Sequence, residues 1–201
     1  MKNKKNREKY SRIIQAATKV FAQKGFFQAK VSEIAKEAKV ADGTIYLYFE
    51  NKDDILISLF EEQMALVLER MRERVSAQDT PVKKLEEFAL CHLQLIEQNR
   101  DMAEIIQVEL RQSSKFMKSY ENERFAMYLD ILSDIIAEGQ KKGVFKKDVV
   151  PNLAKRAIFG ALDELSRYWV LSSRRKYAIQ TAAKQISEYF LHGIIERPTD
   201  R

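Results

Sequence analysis

One cysteine, three prolines and six glycines in 201 residues close off several architectures at once. A lone Cys91 forms no internal disulfide and no cysteine-based zinc cluster. So little Gly and Pro leaves too few turn residues for the many short strands of a β-rich fold, which points to an all-α chain. No apolar run approaches the roughly 20 residues that span a bilayer, and the start Met-Lys-Asn-Lys-Lys lacks the apolar stretch of a secretory signal. No membrane association is expected, and a cytoplasmic location follows. The chain shows no Ser/His/Asp set, no metal-ligand spacing and no phosphate loop, and His92 and His192 stand alone. It therefore has no catalytic residues, metal ligands or cofactor to assign and is not expected to be an enzyme.

What is present is a core and an uneven charge. A hydrophobic share of 45% suffices for an ordinary globular interior. The net charge of +6 is not spread along the chain: residues 1–52 carry 12 Lys/Arg against 5 Asp/Glu, and residues 53–201 carry 23 against 24. The whole basic excess is N-terminal, as a small polyanion-binding module requires, although a lysine-rich tail kept for solubility reads the same way over Lys2–Lys9.

Apolar spacing sets out the helices. Ile13, Ile14, Ala17, Val20 and Phe21 repeat at helical intervals over residues 8–24, behind a polar tail, and Gly25 is placed to end that helix. Short helices are expected at 31–38 and 42–48, with a turn at Lys39-Val40-Ala41. Asn51 can cap a long helix running to about residue 75, with Asp53 and Asp54 at its positive end. Thr80-Pro81 restarts the chain as a capping hydroxyl followed by an N1 proline. Further helices are expected at 81–98, 101–111, 116–141, 149–173 and 177–196. The last two carry more apolar surface than one neighbour needs, and Gly160, Ala161, Ala182 and Ala183 permit close helix approach. That combination suits a homodimer through helices 149–173 and 177–196, a four-helix interface, with burial inside the monomer as the alternative.

The stretch Ala38–Phe49, Ala-Lys-Val-Ala-Asp-Gly-Thr-Ile-Tyr-Leu-Tyr-Phe, has the pattern of a helix-turn-helix. Such a motif lays its second helix in the major groove of double-stranded DNA and anchors its frame on phosphates. Thr44, Tyr46 and Tyr48 supply hydroxyls off the Ile45/Phe49 face, Gly43 leaves clearance, and Lys52 adds a cation at a helix start. Tyr46 and Tyr48 can equally pack against the long helix. No Arg, Asn or Gln lies in 42–48, so strong bidentate base contacts are missing from this helix.

With Lys52 three residues beyond Phe49, the stretch closely resembles the DNA-binding signature of the TetR family of transcriptional repressors. The resemblance implies a three-helix DNA-binding domain at 1–52 and a helical ligand-binding and dimerisation domain at 53–201. It places DNA contacts on Lys30, Ser32, Gly43, Thr44, Tyr46, Tyr48 and Lys52. Two departures stand out: Lys39 occupies the turn position where the family usually has Gly, and Ala41 the position where a Ser usually caps the recognition helix. Segments 40–49, 54–60, Glu-Leu-Arg-Gln-Ser (109–113) and Ile-Phe-Gly (158–160) are further similar to the FadR-type members. Those members imply repression of fatty-acid degradation genes and release from operator DNA by long-chain acyl-CoA. A family member answering to lipophilic drugs at an efflux system is the alternative.

An acyl-CoA needs a long apolar tunnel with a few polar groups and cations for its phosphates. Ile105, Ile106, Leu110, Phe116, Phe125, Tyr128, Leu132, Phe159, Leu162 and Trp169 are the candidate lining, with ordinary core filling as the alternative for each aromatic. Arg111 is the candidate cation, or a structural ion-pair partner. Glu109 and Asp163 are acidic groups expected to face inward and to pair with Arg111 or Arg167. The helix that starts at Asn51 is expected to link this region to the DNA-binding domain.

Overall fold

The computed structural model describes residues 2–110, 122–172 and 177–195, with side chains for all of these except residues 2–5 and 109. Among the described residues the secondary structure is helical, apart from an isolated antiparallel bridge between Phe145 and Ile195. The helices are α1 (Lys2–Lys24), α2 (Val31–Ala38), α3 (Asp42–Ile45), α4 (Lys52–Ser76), α5 (Pro81–Gln98), α6 (Arg100–Glu104), α7 (Glu123–Lys141), α8 (Pro151–Leu171) and α9 (Ile179–Ile194). Residues 2–63 and 99–110 form one compact unit, and the described residues of 64–98 and 122–201 form another. The division between these compact units falls inside α4, between Gln63 and Met64.

In the first unit, α1 packs on α2 and α2 on α3. Ile13, Ala17 and Phe21 of α1, Ile34 and Ala35 of α2, Ile45 of α3, and Ile55, Leu56 and Leu59 of α4 are at most 1% exposed. Burying such a side chain contributes about 1.5–3 kcal/mol each, and the i, i+4, i+8 spacing of Ile13, Ala17 and Phe21 is what puts them on one face. α1 begins six residues earlier than its apolar pattern does. Its first turns are rich in Lys, Arg and Glu, which are good helix formers but give no apolar signal. At its other end Gly25 takes φ 76°, and its N–H reaches the Phe21 carbonyl at 2.8 Å.

The turn after α2 uses a left-handed residue, as the family's glycine would, but the residue is Lys39, at φ 55° and ψ 47°. A side chain in that region costs on the order of 1 kcal/mol relative to glycine. Lys39→Gly is therefore expected to stabilise the protein by about 1 kcal/mol, read as a shift in the urea midpoint at unchanged slope. A neutral or destabilising result would mean that the lysine side chain makes a compensating contact.

Local chemistry fixes the starts of α4 to α7. Asn51 Oδ1 accepts from the Asp54 N–H (3.0 Å), Thr80 Oγ1 from Lys83 (3.2 Å), Asn99 Oδ1 from Met102 (3.1 Å) and Asn122 Oδ1 from Phe125 (3.0 Å). The expected helix 101–111 is regular only to Glu104 and then widens into one π-turn, Ile105–Glu109, where the Leu110 N–H bonds the Ile105 carbonyl. On an α-helix, residues five apart point about 140° from one another at 100° per residue. The wider turn lets Ile105 and Leu110 both be buried.

The second unit is a helical bundle: α5 packs on α7, α8 and α9, and α8 packs on α7 and α9. The end of α4 is tied to α5 by Arg74, which donates Nε to Glu87 and Nη1 to Gln94. Lys84 joins α5 to α7 through Glu138 at 2.6 Å. Gly143, at φ 70°, follows α7. A side chain at Gly139 would collide with the buried Phe145 ring at 2.0 Å, so that close approach requires glycine.

Candidate DNA-binding and effector sites

The expected recognition helix at 42–48 is α-helical only over Asp42–Ile45. Tighter turns follow, with Leu47 N–H to Thr44 O at 3.3 Å and Tyr48 N–H to Ile45 O at 3.0 Å. No side chain caps it at Ala41. Ile45 and Phe49 point inward, whereas Tyr46 and Leu47 are 59% and 81% exposed. Gly43 is exposed and a methyl there would meet nothing within 4 Å, so the fold itself does not demand glycine at that position. Lys30 and Ser32 are exposed at the start of α2. The Lys30 N–H caps onto Glu33 Oε2 at 3.0 Å, and Lys24 Nζ bonds Glu33 Oε1 at 2.5 Å. Those bonds, Lys24's first, hold the Glu33 carboxyl below its ordinary value.

Two of the expected DNA contacts are committed inside the first unit. The Tyr48 hydroxyl donates to Asn6 Oδ1 of α1, and its ring lies against Phe49 and Tyr10. Tyr10 in turn stacks on Phe49, with centroids 5.4 Å apart. Lys52 turns its ammonium onto the loop after α1, donating to the carbonyls of Phe26 (2.5 Å), Phe27 (3.1 Å) and Ala29 (3.0 Å), with Nζ 4.6 Å from the Phe26 ring centre. An ammonium has three N–H donors, so all three are engaged in a clamp on the loop here, at the residue expected to contact phosphate. Burial lowers its pKa, partly offset by Asp53.

The candidate effector residues divide between the units. Ile105, Ile106 and Leu110 lie in the first, where α6 and the π-turn pack directly on α1. Arg111 and Phe116, and the side chain of Glu109, lie outside the described residues, as do Ser113, Ser114, Arg174, Arg175 and Lys176. Phe125, Tyr128, Leu132, Phe159, Leu162, Asp163 and Trp169 are in the second unit. Three of them gather in one aromatic cluster: Phe125 stands edge-on to Phe159 at 5.2 Å, and Tyr128 lies 6.4 Å from Phe125 and 6.3 Å from Phe159. Phe88 joins at 5.2 Å from Tyr128. Leu132 and Leu162 are fully buried, and Trp169 is 5% exposed. Arg167 gives its guanidinium to Glu164, at 2.6 and 2.9 Å, and Asp163 adds a smaller attraction to the same guanidinium.

At the middle of the cluster sits His92, which its isolation in the sequence concealed. Nδ1 is 2.7 Å from the Tyr128 hydroxyl and Nε2 is 3.1 Å from Ser166 Oγ, while Ser166 donates to the Leu162 carbonyl at 2.8 Å. Ser166 spends its one hydrogen there, so its oxygen accepts from Nε2–H, and Nδ1 accepts from Tyr128. The ring is neutral: burial pushes it down to about 4, against a smaller upward pull from Asp163. Cys91, beside it in sequence, is a buried thiol raised above its ordinary value by burial. Among the described residues, no group of His, Cys, Asp and Glu could hold a metal ion, and no helix is long and apolar enough to cross a membrane.

A basic N-terminal helix-turn-helix followed by a helical unit is the layout of a DNA-binding transcriptional regulator. Residues 13–59 match the family description "Bacterial regulatory proteins, tetR family", and residues 60–193 match "YsiA-like protein, C-terminal region". The chain belongs to the TetR family. It is 42% identical over 191 residues to the fatty acid metabolism regulator protein of Bacillus subtilis (strain 168), covering 95% of this chain and 98% of that one. The fold matches the transcriptional regulator FadR of Bacillus subtilis, solved in complex with stearoyl-CoA, with a TM-score of 0.84 over 92% of this chain and 99% of that chain. The fatty acid degradation regulator FadR of Bacillus halodurans is 39% identical, with the same TM-score, over 92% of this chain and 95% of that chain.

Proposed function

We propose that this protein is a transcriptional repressor, not an enzyme, that binds operator DNA as a homodimer in the cytoplasm and is released by a long-chain fatty acyl-CoA, controlling fatty-acid degradation genes. The observation that carries this reading is the 42% identity over nearly the whole chain to a fatty acid metabolism regulator, together with the fold match to a FadR bound to stearoyl-CoA. The helix-turn-helix, with residues 1–52, would contact DNA, and residues 53–201 would supply effector binding and dimerisation. Lys30, Ser32, Gly43, Thr44, Tyr46, Tyr48 and Lys52 are the proposed DNA-contact set, all open to solvent or partly so, with Tyr48 and Lys52 also bonded inside the first unit. An outward stripe on α8 supports the dimer: Leu153, Tyr168 and Leu171 are 69%, 41% and 60% exposed, and Gly160 between them has no neighbour within 4 Å of a built Cβ. Tyr189 on α9 is 71% exposed.

A ligand that releases DNA must bind the DNA-incompetent arrangement more tightly. Packing of α6 and the π-turn on α1 offers a direct route for that preference, alongside α4. The test is an electrophoretic shift of genomic fragments by the full-length protein, titrated with stearoyl-CoA, free CoA and a lipophilic cation. Release by stearoyl-CoA alone is the expected result. Release by the cation alone would move the protein to a drug-responsive role, and no shift at low salt would overturn the operator-binding reading.

A further inference from the structure

The groups that remain free to meet base edges are few once internal bonds are counted. Tyr48 is bonded to Asn6 and Lys52 to three carbonyls. On the outer side of the recognition segment this leaves the Thr44 and Tyr46 side chains, and between Tyr46 and Tyr48 the bare hydrocarbon of Leu47. Among the described residues no large apolar side chain is more exposed than Leu47, at 81%. The turn bond from its N–H to the Thr44 carbonyl, at 3.3 Å, fixes where it projects, and Ile45 and Phe49 on the opposite side are buried. The fold therefore gains nothing from a leucine there.

We propose that Leu47 is a specificity-determining residue that reads thymine, packing its methyl groups on the C5-methyl of a thymine in the major groove of the operator half-site. In that groove every base edge offers hydrogen-bond donors or acceptors, and thymine alone adds an apolar group. A leucine has no polar atom to match the others, and setting it against them strands a donor or acceptor without water. The basic excess confined to residues 1–52 draws this surface onto a polyanion, which favours DNA over a second protein as what covers Leu47. With no Arg, Asn or Gln over 42–48, bidentate base contacts are missing and a methyl contact adds direct discrimination beside the Thr44 and Tyr46 hydroxyls, so the operator should hold a thymine at a fixed offset in each half-site.

This inference rests on the operator-binding reading, and the experiment separates the two. Full-length protein selects duplexes from a random library at low salt, and each thymine of the selected half-site is then replaced by uracil, which removes only the methyl group. Fluorescence anisotropy measures the Kd of the wild type and Leu47→Ala. At one or two positions, uracil should weaken wild-type binding about fivefold in one half-site and about twentyfold in both, as loss of a buried methyl implies. Leu47→Ala should bind thymine and uracil duplexes equally at those positions, with unchanged thermal unfolding. If uracil is neutral everywhere, or Leu47→Ala keeps the wild-type preference, the inference is overturned while operator binding stands. Failure to select any duplex would sink both.

Discussion

Replacing Lys52 by methionine is expected to loosen the DNA-binding unit and to weaken operator binding at every salt concentration, without changing how steeply affinity depends on salt. Methionine keeps much of the length and the apolar stem but none of the three donors. The Phe26 and Ala29 backbone regions that those donors hold belong to residues only 4% and 3% exposed, so their carbonyls lose partners where water replaces them poorly. Charge-assisted bonds of this kind contribute about 1.5–3 kcal/mol each when intact, and partial rehydration brings the expected net loss to about 2 kcal/mol. The loop they hold runs into Lys30, which starts α2, and α2 sets the position of α3. Circular dichroism of the unfolding transition reads the stability change, and hydrogen exchange at 25–30 reads its location. The salt slope distinguishes this clamp from the phosphate contact that the position suggests. A lysine on a phosphate lowers the slope of log K against log salt by about 1 per subunit when removed. Unchanged stability with a shallower slope would show that Lys52 leaves the loop and meets DNA.

Lys52 also marks where sequence reading stops. A lysine three residues past the recognition motif, at the start of a helix, has the chemistry of a phosphate ligand. Nothing in the chain shows that three carbonyls more than 20 residues earlier converge on it. Tyr48 is similar: alternation put its hydroxyl on the outer side, but Asn6, 42 residues away, accepts its hydrogen. Features set by neighbours in sequence were legible. Asn51, Thr80 and Gly25 end or start helices through bonds within a few residues, and the apolar repeat of α1 found its buried face. The early start of α1 was not legible, because an exposed helix of charged residues carries no apolar period. Nor was the π-turn, since its register change depends on what Ile105 and Leu110 pack against. Lys39 was legible as a departure from glycine, and the backbone there is left-handed as that departure warned.

The aromatic cluster of the second unit holds the other large expected effect. Stability should fall by about 3 kcal/mol as pH drops from 7 to 4, and His92→Gln should abolish most of that dependence. The unfolded chain takes up the imidazole proton near pH 6.5, whereas burial delays uptake in the folded chain until about pH 4. Across that window the unfolded state binds the extra proton, so acidification favours it; stability is complete above 6.5 and the loss is complete once pH falls below 4. A gap of 2.5 pH units corresponds to about 3 kcal/mol at 1.36 per unit, a large fraction of a domain's usual 5–15 kcal/mol. Bond directions explain why the proton is resisted beyond the cost of burial. In the neutral ring Nδ1 accepts from Tyr128 and Nε2 donates to Ser166. A proton on Nδ1 would face the Tyr128 hydrogen and force that hydroxyl to turn away, breaking the bond it donates in the buried site. Glutamine can donate and accept but does not titrate here, so the variant should be less stable at pH 7.5 yet nearly flat down to pH 5. Carboxylates such as Glu33 and Glu138, held below their ordinary values by lysine bonds, lose their contribution only as pH falls below about 4.5. Urea unfolding at pH 7.5, 6 and 5 isolates the histidine. A wild type flat over that range would mean that Asp163 fully offsets burial, leaving the imidazole to take up its proton at the same pH folded and unfolded.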